Sequence, residues 1–344
     1  MISPKISIMI PTYNRASMLA EAIESCLAQD YLNLEVVISD NASTDQTTSV
    51  LQRYLRDPRV RYFRNEINIG AGANWHRLLY EYAQGEYGQL LADDDLLADK
   101  QYLSKVADLI AETGVKAVFS GFLYTDIISG KRGVRNPGMP RVVTPAMWVE
   151  VLGTFRNGNY VFPCLATVYH LAQARALRVY YPVVPGYDFE ATLRFMLAGA
   201  TGYLEGTHCI ARAHSGNASR TQDTSEEFLE GAKMFQRFYE QGLALGLSEP
   251  KLMAAKKRLM VQYLRTFMLR AWLEAGGNSL RALYAFYRKV ANLDPVVGRQ
   301  VFLDLRTIGK IVLYNHPWAY QTAVRLINRR DYQSTDLLVV ESSK

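Results

Sequence analysis

The sequence predicts an α/β protein, a doubly wound and mostly parallel sheet over residues 1–225, followed by a helical region over residues 226–344. Two patterns carry that expectation. Over residues 5–122, short apolar runs alternate with amphipathic stretches across short polar links, an order that lays parallel strands side by side with helices between them. From about residue 225 onward, apolar residues recur at helical spacing instead.

The elements follow in order. KISIMI (5–10) is an apolar run closed by Pro11, as a buried strand would be. Asn14 is placed to cap a helix over 15–29, in which Met18, Leu19, Ala22, Ile23, Cys26 and Leu27 fall at helical spacing. LEVVIS (34–39) is the next strand and runs into the turn and cap residues DNASTD (40–45). A helix over 46–56 stops before Asp57 and Pro58. VRYFRN (60–65) is a third strand, and NIGAGAN (68–74) is a glycine-bearing turn into a helix over 75–84 that Gly85 ends. YGQLLA (87–92) is a fourth strand, followed by a helix over 99–113 and the strand VKAVFSGF (115–122). Residues 123–215 are less regular, with short strands near 165–170 and 201–211. The stretch 251–277 is a helix between Ser248, a cap, and Gly276 with Gly277. Its residues Leu252, Leu259, Met260, Tyr263, Leu264, Phe267, Met268 and Trp272 share one face, with Lys256, Lys257, Arg258, Arg265 and Arg270 around the rest.

Composition bounds the class. At 344 residues, 49% hydrophobic and 21% charged, the chain is neither disordered nor fibrous. Its three cysteines are far apart and odd in number, which argues against a disulfide framework or a zinc knuckle and for a reducing compartment. The N-terminal apolar run, bracketed by Pro4 and Pro11, reads as a strand, not a signal peptide. No apolar stretch nears the ~20 residues of a membrane-spanning helix. A cytoplasmic protein is expected. Residues 231–344 hold 18 Lys and Arg against 8 Asp and Glu, a net +10 in a chain of net +6, so residues 1–230 carry −4. The acidic front is expected to hold the chemistry. The basic tail is either a solvated helical surface or a face for something anionic.

In a parallel sheet, ligands sit beyond the carboxyl ends of the strands. Asp40, the turn from Asn68 to Asn74, and Asp93, Asp94 and Asp95 all fall at such ends. Two unit charges about 4 Å apart repel by roughly 4 kcal/mol at an effective dielectric near 20. Three adjacent aspartates must therefore turn into water or share a cation. Hard oxygen ligands on a tight turn suit Mg²⁺ or Mn²⁺, which complete their shells with water and phosphate oxygens.

SIMIPTYNR, VISDNASTD, NIGAGAN and GEYGQLLADDD, in that order and spacing, resemble the family 2 glycosyltransferases with the GT-A fold over roughly residues 5 to 215. That resemblance implies a nucleotide-diphosphate sugar donor, a divalent metal (Mn²⁺ or Mg²⁺) and transfer with inversion. It implies a donor half over about 1–122 and an acceptor half over about 123–225. Pro11, Tyr13 and Arg15 would line the loop beside the nucleotide. Asp40, with Asn41 beside it, would accept a hydrogen bond from a uracil or thymine base. Asn68, Gly70 and Asn74 would lie near the ribose and phosphates. Asp93, Asp94 and Asp95 match the DxD region, with Asp95 the favoured metal ligand and Asp93 facing ribose or sugar. Leu91 stands where the commoner pattern has its first acid.

An inverting displacement needs one base. VVPGYDFEATLRFMLAG (183–199) resembles the acceptor-side motif, with Asp188 matching the base and Glu190 the alternative; Asp188 could equally cap the helix that follows. CIARAHSGNASR (209–220) resembles the later motif that approaches the diphosphate. It offers His214 as a metal or phosphate ligand and Arg212 or Arg220 as a phosphate clamp. The acceptor implied is a saccharide or lipid-linked saccharide.

The 251–275 helix has three readings: packing on the catalytic domain, self-association, or contact with an anionic membrane on the inner face of the cell membrane. Competing functions fit less well. A hydride-transfer enzyme is opposed by Trp75, which stands at the third glycine position of a dinucleotide fingerprint. A nucleotidyltransferase would carry a basic, glycine-rich loop where PTYNRASM stands. No nucleic-acid-binding motif accompanies the basic tail. A non-catalytic nucleotide-sugar-binding module remains the other alternative.

Overall fold

Two strands buried along their whole length, β1 (Ile6–Thr12) and β2 (Leu34–Asp40), lie side by side in the sheet. Continuous apolar runs fold this way when both faces of a sheet are covered. The computed structural model describes residues 3–154, 164–181, 187–214, 224–274 and the single residue 288. β1 and β2 pair in parallel from Ile6 opposite Leu34 to Thr12 opposite Asp40, so their polar last residues emerge side by side. β3 (Val60–Arg64) adds in parallel to β2, and β4 (Tyr87–Leu90) in parallel to β1. Pairing of β1 with β4 ends at Met9 opposite Leu90, which leaves Pro11, lacking an N–H, beyond that ladder.

The sheet continues through β9 (Thr167–His170), β6 (Ala117–Asp126), β10 (Thr201–Ala213) and β5 (Leu96–Leu97), in the order β3-β2-β1-β4-β9-β6-β10-β5. β7 (Arg132–Arg135) pairs with β6, and β8 (Val142–Val143) with β10. β6 and β10 run parallel through the longest pairing of this half. β9 is antiparallel to both β4 and β6, joining the two halves.

α1 (Ala16–Leu27) turns Leu19, Ala22, Ile23 and Cys26 into the core. Asn14 does not cap it. Its backbone is left-handed (φ 53°), and its Oδ1 instead accepts the Thr44 N–H at 2.7 Å. The N–H of Ala16 is taken by Asp45 Oδ2 at 3.1 Å. α2 (Thr47–Leu51) is shorter than expected. Thr47, Thr48 and Val50 are β-branched and weak helix formers, and the turn beyond them buries Tyr54, whose hydroxyl donates to Glu24 at 2.7 Å. α3 (Ala71–Arg77) starts earlier than expected, entered through Gly70 at φ 84°, and passes into a π-helical turn over Leu78–Tyr82. α4 (Tyr102–Thr113) closes on Gly114 in the left-handed conformation that glycine adopts without strain.

The core between these helices and the sheet includes Ile8, Ile10, Ile23, Val36, Val106 and Val118, all fully buried. Truncating one of them to alanine costs about 2–5 kcal/mol for Ile and less for Val. Later in the chain come α6 (Leu171–Ala176) and α7 (Tyr187–Leu197).

A second compact unit contains α5 (Pro145–Thr154) from Ala146 on, α8 (Thr224–Ala244) and α9 (Glu249–Glu274). Leu252, Ala255, Leu259 and Met260 of α9 are buried, and Tyr263 meets Phe235 of α8 edge-on at 5.4 Å. The described part of the apolar stripe thus packs on a neighbouring helix. Side chains from Leu264 onward, and the stop at Gly276 and Gly277, lie outside the described residues. Among the described residues no helix is long and apolar enough to cross a membrane.

Candidate active site at the ends of the parallel strands

Leu90 and Leu91 are fully buried, and the Leu91 N–H still bonds Met9 O at 3.0 Å. The chain then folds back, with Asp95 N–H donating to Ala92 O at 3.0 Å. The turn therefore keeps all three aspartates inside, at 3%, 4% and 8% exposure. Water does not neutralise them; side chains from distant segments do. Asp93 accepts from the Thr12 hydroxyl at 2.7 Å and from Arg15 Nη1 at 2.8 Å. Asp94 Oδ2 accepts from the same Nη1 at 2.9 Å and shares a hydrogen bond with His214 Nε2 at 2.9 Å. Asp95 Oδ1 accepts the backbone N–H of Arg212 at 3.0 Å.

Arg15 and His214 bond these carboxylates and the Arg212 charge acts on Asp95, yet two of the acids still titrate high. Burial, opposed by Arg15 and reinforced by Asp94, pushes Asp93 up to about 6. Burial and repulsion from Asp94 push Asp95 well above the usual carboxylate range, against the Arg212 N–H. Both shifts come first from burial and then from mutual repulsion, and an added cation would relieve both.

The turn beside β2 is held by a buried amide network. Asn41 Nδ2 donates to Asn68 Oδ1 at 2.7 Å, and Asn41 Oδ1 accepts from Asn65 Nδ2 and the Ile69 N–H, both at 3.0 Å. Asn74 Oδ1 accepts from the Ser39 hydroxyl at 2.6 Å and from Asn65 at 3.0 Å, and its Nδ2 donates to Ser39 O at 2.8 Å. Asn68 Oδ1 also accepts the Gly70 N–H at 2.9 Å. Asn41 and Asn74 therefore shape the turn. Asp40, fully buried, accepts from the Ser43 N–H at 2.8 Å, the Tyr62 hydroxyl at 2.9 Å and Arg64 Nη1 at 2.6 Å. Tyr13 is 44% exposed at the end of β1, and Pro11 is buried within it.

Asp188 lies in the first turn of α7, where the helix dipole favours a carboxylate. It is followed by helix on both residues the sequence offered: Asp188 stays exposed, while Glu190 is buried and paired with Arg194 at 2.7 Å. Solvent touches Asp188, yet the protein crowding its carboxylate still raises its pKa above the ordinary value. Burial pushes the Cys164 thiol up, and the charges of Asp188 and Asp95 push it further. Arg212 turns its guanidinium to the carbonyl of Asp94 and to Glu21. Arg220 lies outside the described residues.

Sequence reasoning missed Thr12, Asn65 and Cys164. Thr12 had a signal, as the last residue of a strand that ends on the ligand rim; the other two had none. As for a divalent cation, no three His, Cys, Asp or Glu side chains converge into a cage among the described residues. Hard carboxylate oxygens under repulsion fit the open kind of site, in which a ligand supplies the remaining oxygens. Asp95 suits it: its carboxylate accepts the Arg212 N–H through Oδ1, and among the described residues no hydrogen bond to Oδ2 occurs.

Comparison with known proteins agrees with this architecture. The family described as glycosyl transferase family 2 matches residues 7–166. The GalNAc(5)-diNAcBac-PP-undecaprenol beta-1,3-glucosyltransferase of Campylobacter jejuni is 41% identical over 96 residues, 27% of this chain and 31% of that protein. The match therefore spans under a third of that relative's length. EpsE of Bacillus subtilis, described as a glycosyltransferase, is 32% identical over 206 residues, 58% of this chain and 69% of that one. The solved structure of S. aureus TarS 1-349 in complex with UDP-GlcNAc superposes with a TM-score of 0.61 at 20% identity, covering 91% of this chain and 92% of that one. That likeness is one of fold, and the fold is GT-A. With the EpsE match extending over more than two-thirds of that relative, the chain belongs to glycosyl transferase family 2.

Proposed function

We propose that the chain is an inverting glycosyltransferase that moves a sugar from a UDP- or dTDP-linked donor to a hydroxyl of a saccharide or lipid-linked saccharide. One arrangement supports it above all: three buried, mutually repelling carboxylates end β4 on the rim where Asp40 and the amide-bound turn also end.

In this reading Asp40 accepts from the base, held in place by Tyr62 and Arg64, while Pro11, Tyr13 and Arg15 border the nucleotide. Asn68 and Gly70 approach the ribose and phosphates, and Asn41 and Asn74 keep their turn rigid. A divalent cation, Mn²⁺ or Mg²⁺, would be held by Asp95 with Asp93 and His214 beside it, and would supply positive charge to the departing diphosphate. Asp188 takes the acceptor proton as the hydroxyl oxygen bonds to C1 of the sugar. The bond from C1 to the diphosphate oxygen breaks on the opposite face, and its electron pair leaves with the diphosphate. A raised pKa makes Asp188 the stronger base for that transfer. Arg212 and Arg220 would stand near the leaving group. The enzyme would work at the cytoplasmic face of the cell membrane, its basic C-terminal region toward anionic lipid.

A panel of nucleotide sugars, scored by thermal shift with and without Mn²⁺ and then by transfer, tests the reading. The expected result is stabilisation by one uridine or thymidine donor that depends on metal. A panel without any response overturns it.

A further inference from the structure

Away from the acid cluster, the hairpin joining β6 to β7 presents Tyr124, Ile127 and Ile128 to solvent, at 39%, 48% and 65% exposure. Single exposed apolar residues are ordinary on any surface. Two successive isoleucines at a hairpin tip are different, because a turn by itself calls for polar residues and glycine.

The tip is also closed on itself. Asp126 N–H donates to Lys131 O and Gly130 N–H to Asp126 O, both at 2.8 Å. Asp126 Oδ1 accepts the N–H groups of Ile128 at 2.9 Å and Ser129 at 3.1 Å. Ile127 N–H donates to Ala213 O at 3.0 Å, and Lys131 N–H to the Ser129 hydroxyl at 3.4 Å. Every backbone N–H from Asp126 to Lys131 thus has a partner within the protein. Water would satisfy those groups in an ordinary surface loop. In an apolar phase each N–H would be costly if left open, so a tip whose N–H groups are already bonded leaves water with its isoleucines at lower cost.

Lys131 and Arg132 follow the tip and are both exposed, and Arg132 stands opposite Thr125 in the β6–β7 ladder. An apolar tip above a cationic collar matches an anionic lipid surface, acyl chains first and headgroups next. Its place matters too. Ala213, which accepts from Ile127, stands between Arg212, whose N–H holds Asp95, and His214, which bonds Asp94. The hairpin therefore leaves the sheet at the same strand end as the acid cluster.

We propose that the β6–β7 hairpin docks the catalytic unit on an anionic membrane, with Ile127 and Ile128 entering the lipid and Lys131 and Arg132 meeting headgroups. Its use to the enzyme rests on the reading that the acceptor is lipid-linked. The docking itself needs no substrate.

The test is sedimentation of the full-length protein with vesicles of equimolar phosphatidylglycerol and phosphatidylcholine, and with phosphatidylcholine alone. The double variant I127S/I128S is expected to bind the mixed vesicles roughly tenfold or more weakly. K131A/R132A is expected to lose about fivefold per charge, and only on the anionic vesicles. I128W, which puts a ring suited to the interface in place of an apolar side chain, is expected to keep binding. Equal binding by wild type and I127S/I128S overturns the proposal, because the basic C-terminal region is unchanged between them. Absence of wild-type binding also overturns it, as does weakened binding of I128W equal to that of the serine pair, which would signal a shape-specific protein partner instead. Thermal shift with the nucleotide-sugar panel runs separately, so failure of docking and failure of the transferase reading are told apart.

Discussion

Arg15 Nη1 stands 2.8 Å from Asp93 Oδ1, and the same nitrogen also serves Asp94 at 2.9 Å. A single side chain thereby holds two buried acids together. R15A is expected to cost roughly 2–4 kcal/mol in urea unfolding, somewhat below the range for a fully buried pair because the Arg15 side chain keeps 21% of its exposure. Adding D93N to R15A is expected to recover part of that loss, since one fewer carboxylate needs a partner. An unchanged midpoint for R15A would mean that the acids are neutralised some other way.

For Asp188, the substitution to Asn is expected to leave donor binding within about twofold while lowering transfer about 10²–10⁴-fold, the usual contribution of a positioned base. The pH profile adds a second reading. In the proposed reading the base acts only when ionised, and the protein packed around the Asp188 carboxylate raises its pKa, so transfer should fall on acidification starting above the ordinary aspartate range. A wild-type acid limb at the ordinary value, or unchanged transfer in D188N, assigns the base elsewhere.

Glu35 sits under the opposite end of the sheet, 2% exposed. Burial pushes its pKa up, but hydrogen bonds from Lys5 at 2.8 Å, Ser7 at 2.6 Å and the Gln84 N–H at 2.7 Å outweigh it, and the net shift is downward. A depressed folded pKa stabilises the protein above the unfolded value and loses that stabilisation as pH falls through the folded one. E35Q should therefore be less stable than wild type by roughly 2 kcal/mol at neutral pH, with the gap closing below about pH 4. Parallel stability curves from pH 7 to pH 3 would contradict this assignment.

At Gly231 of α8, an added Cβ would fall 2.0 Å from the Tyr263 ring of α9. G231A should therefore destabilise the helix pair by about 1–3 kcal/mol, even though alanine is the better helix former. Pairing it with Y263A, which opens the space, should return part of the loss. Chemical denaturation of the two variants and their combination reads the coupling.

The first four parallel strands could be read in the sequence because buried parallel strands print continuous apolar runs, and β1, β2 and β4 do so. β9 could not be oriented. TVYH has the same pattern in either direction, and only the strands on both sides of it, β4 and β6, decide that it runs antiparallel. The aspartates announced a site through their position at a strand end. Their neutralisation stayed hidden, since Arg15 and His214 lie 78 to 120 positions away along the chain. Asn14 shows the limit of local rules. A good cap residue in the right place bonded across to Thr44, and Asp45 did its work.

β10 closes the acid cluster from far along the chain, Arg212 reaching back 117 positions to Asp95 and His214 reaching 120 to Asp94. During synthesis the strands from Ile6 to Leu90 leave the ribosome well before those two residues exist. A growing chain can therefore build its parallel half while Asp94 and Asp95 still lack their last protein partners. A chain that stalls before residue 214 therefore carries the first four parallel strands with the acid turn still open, and the thirteen-residue strand β10 is what completes it.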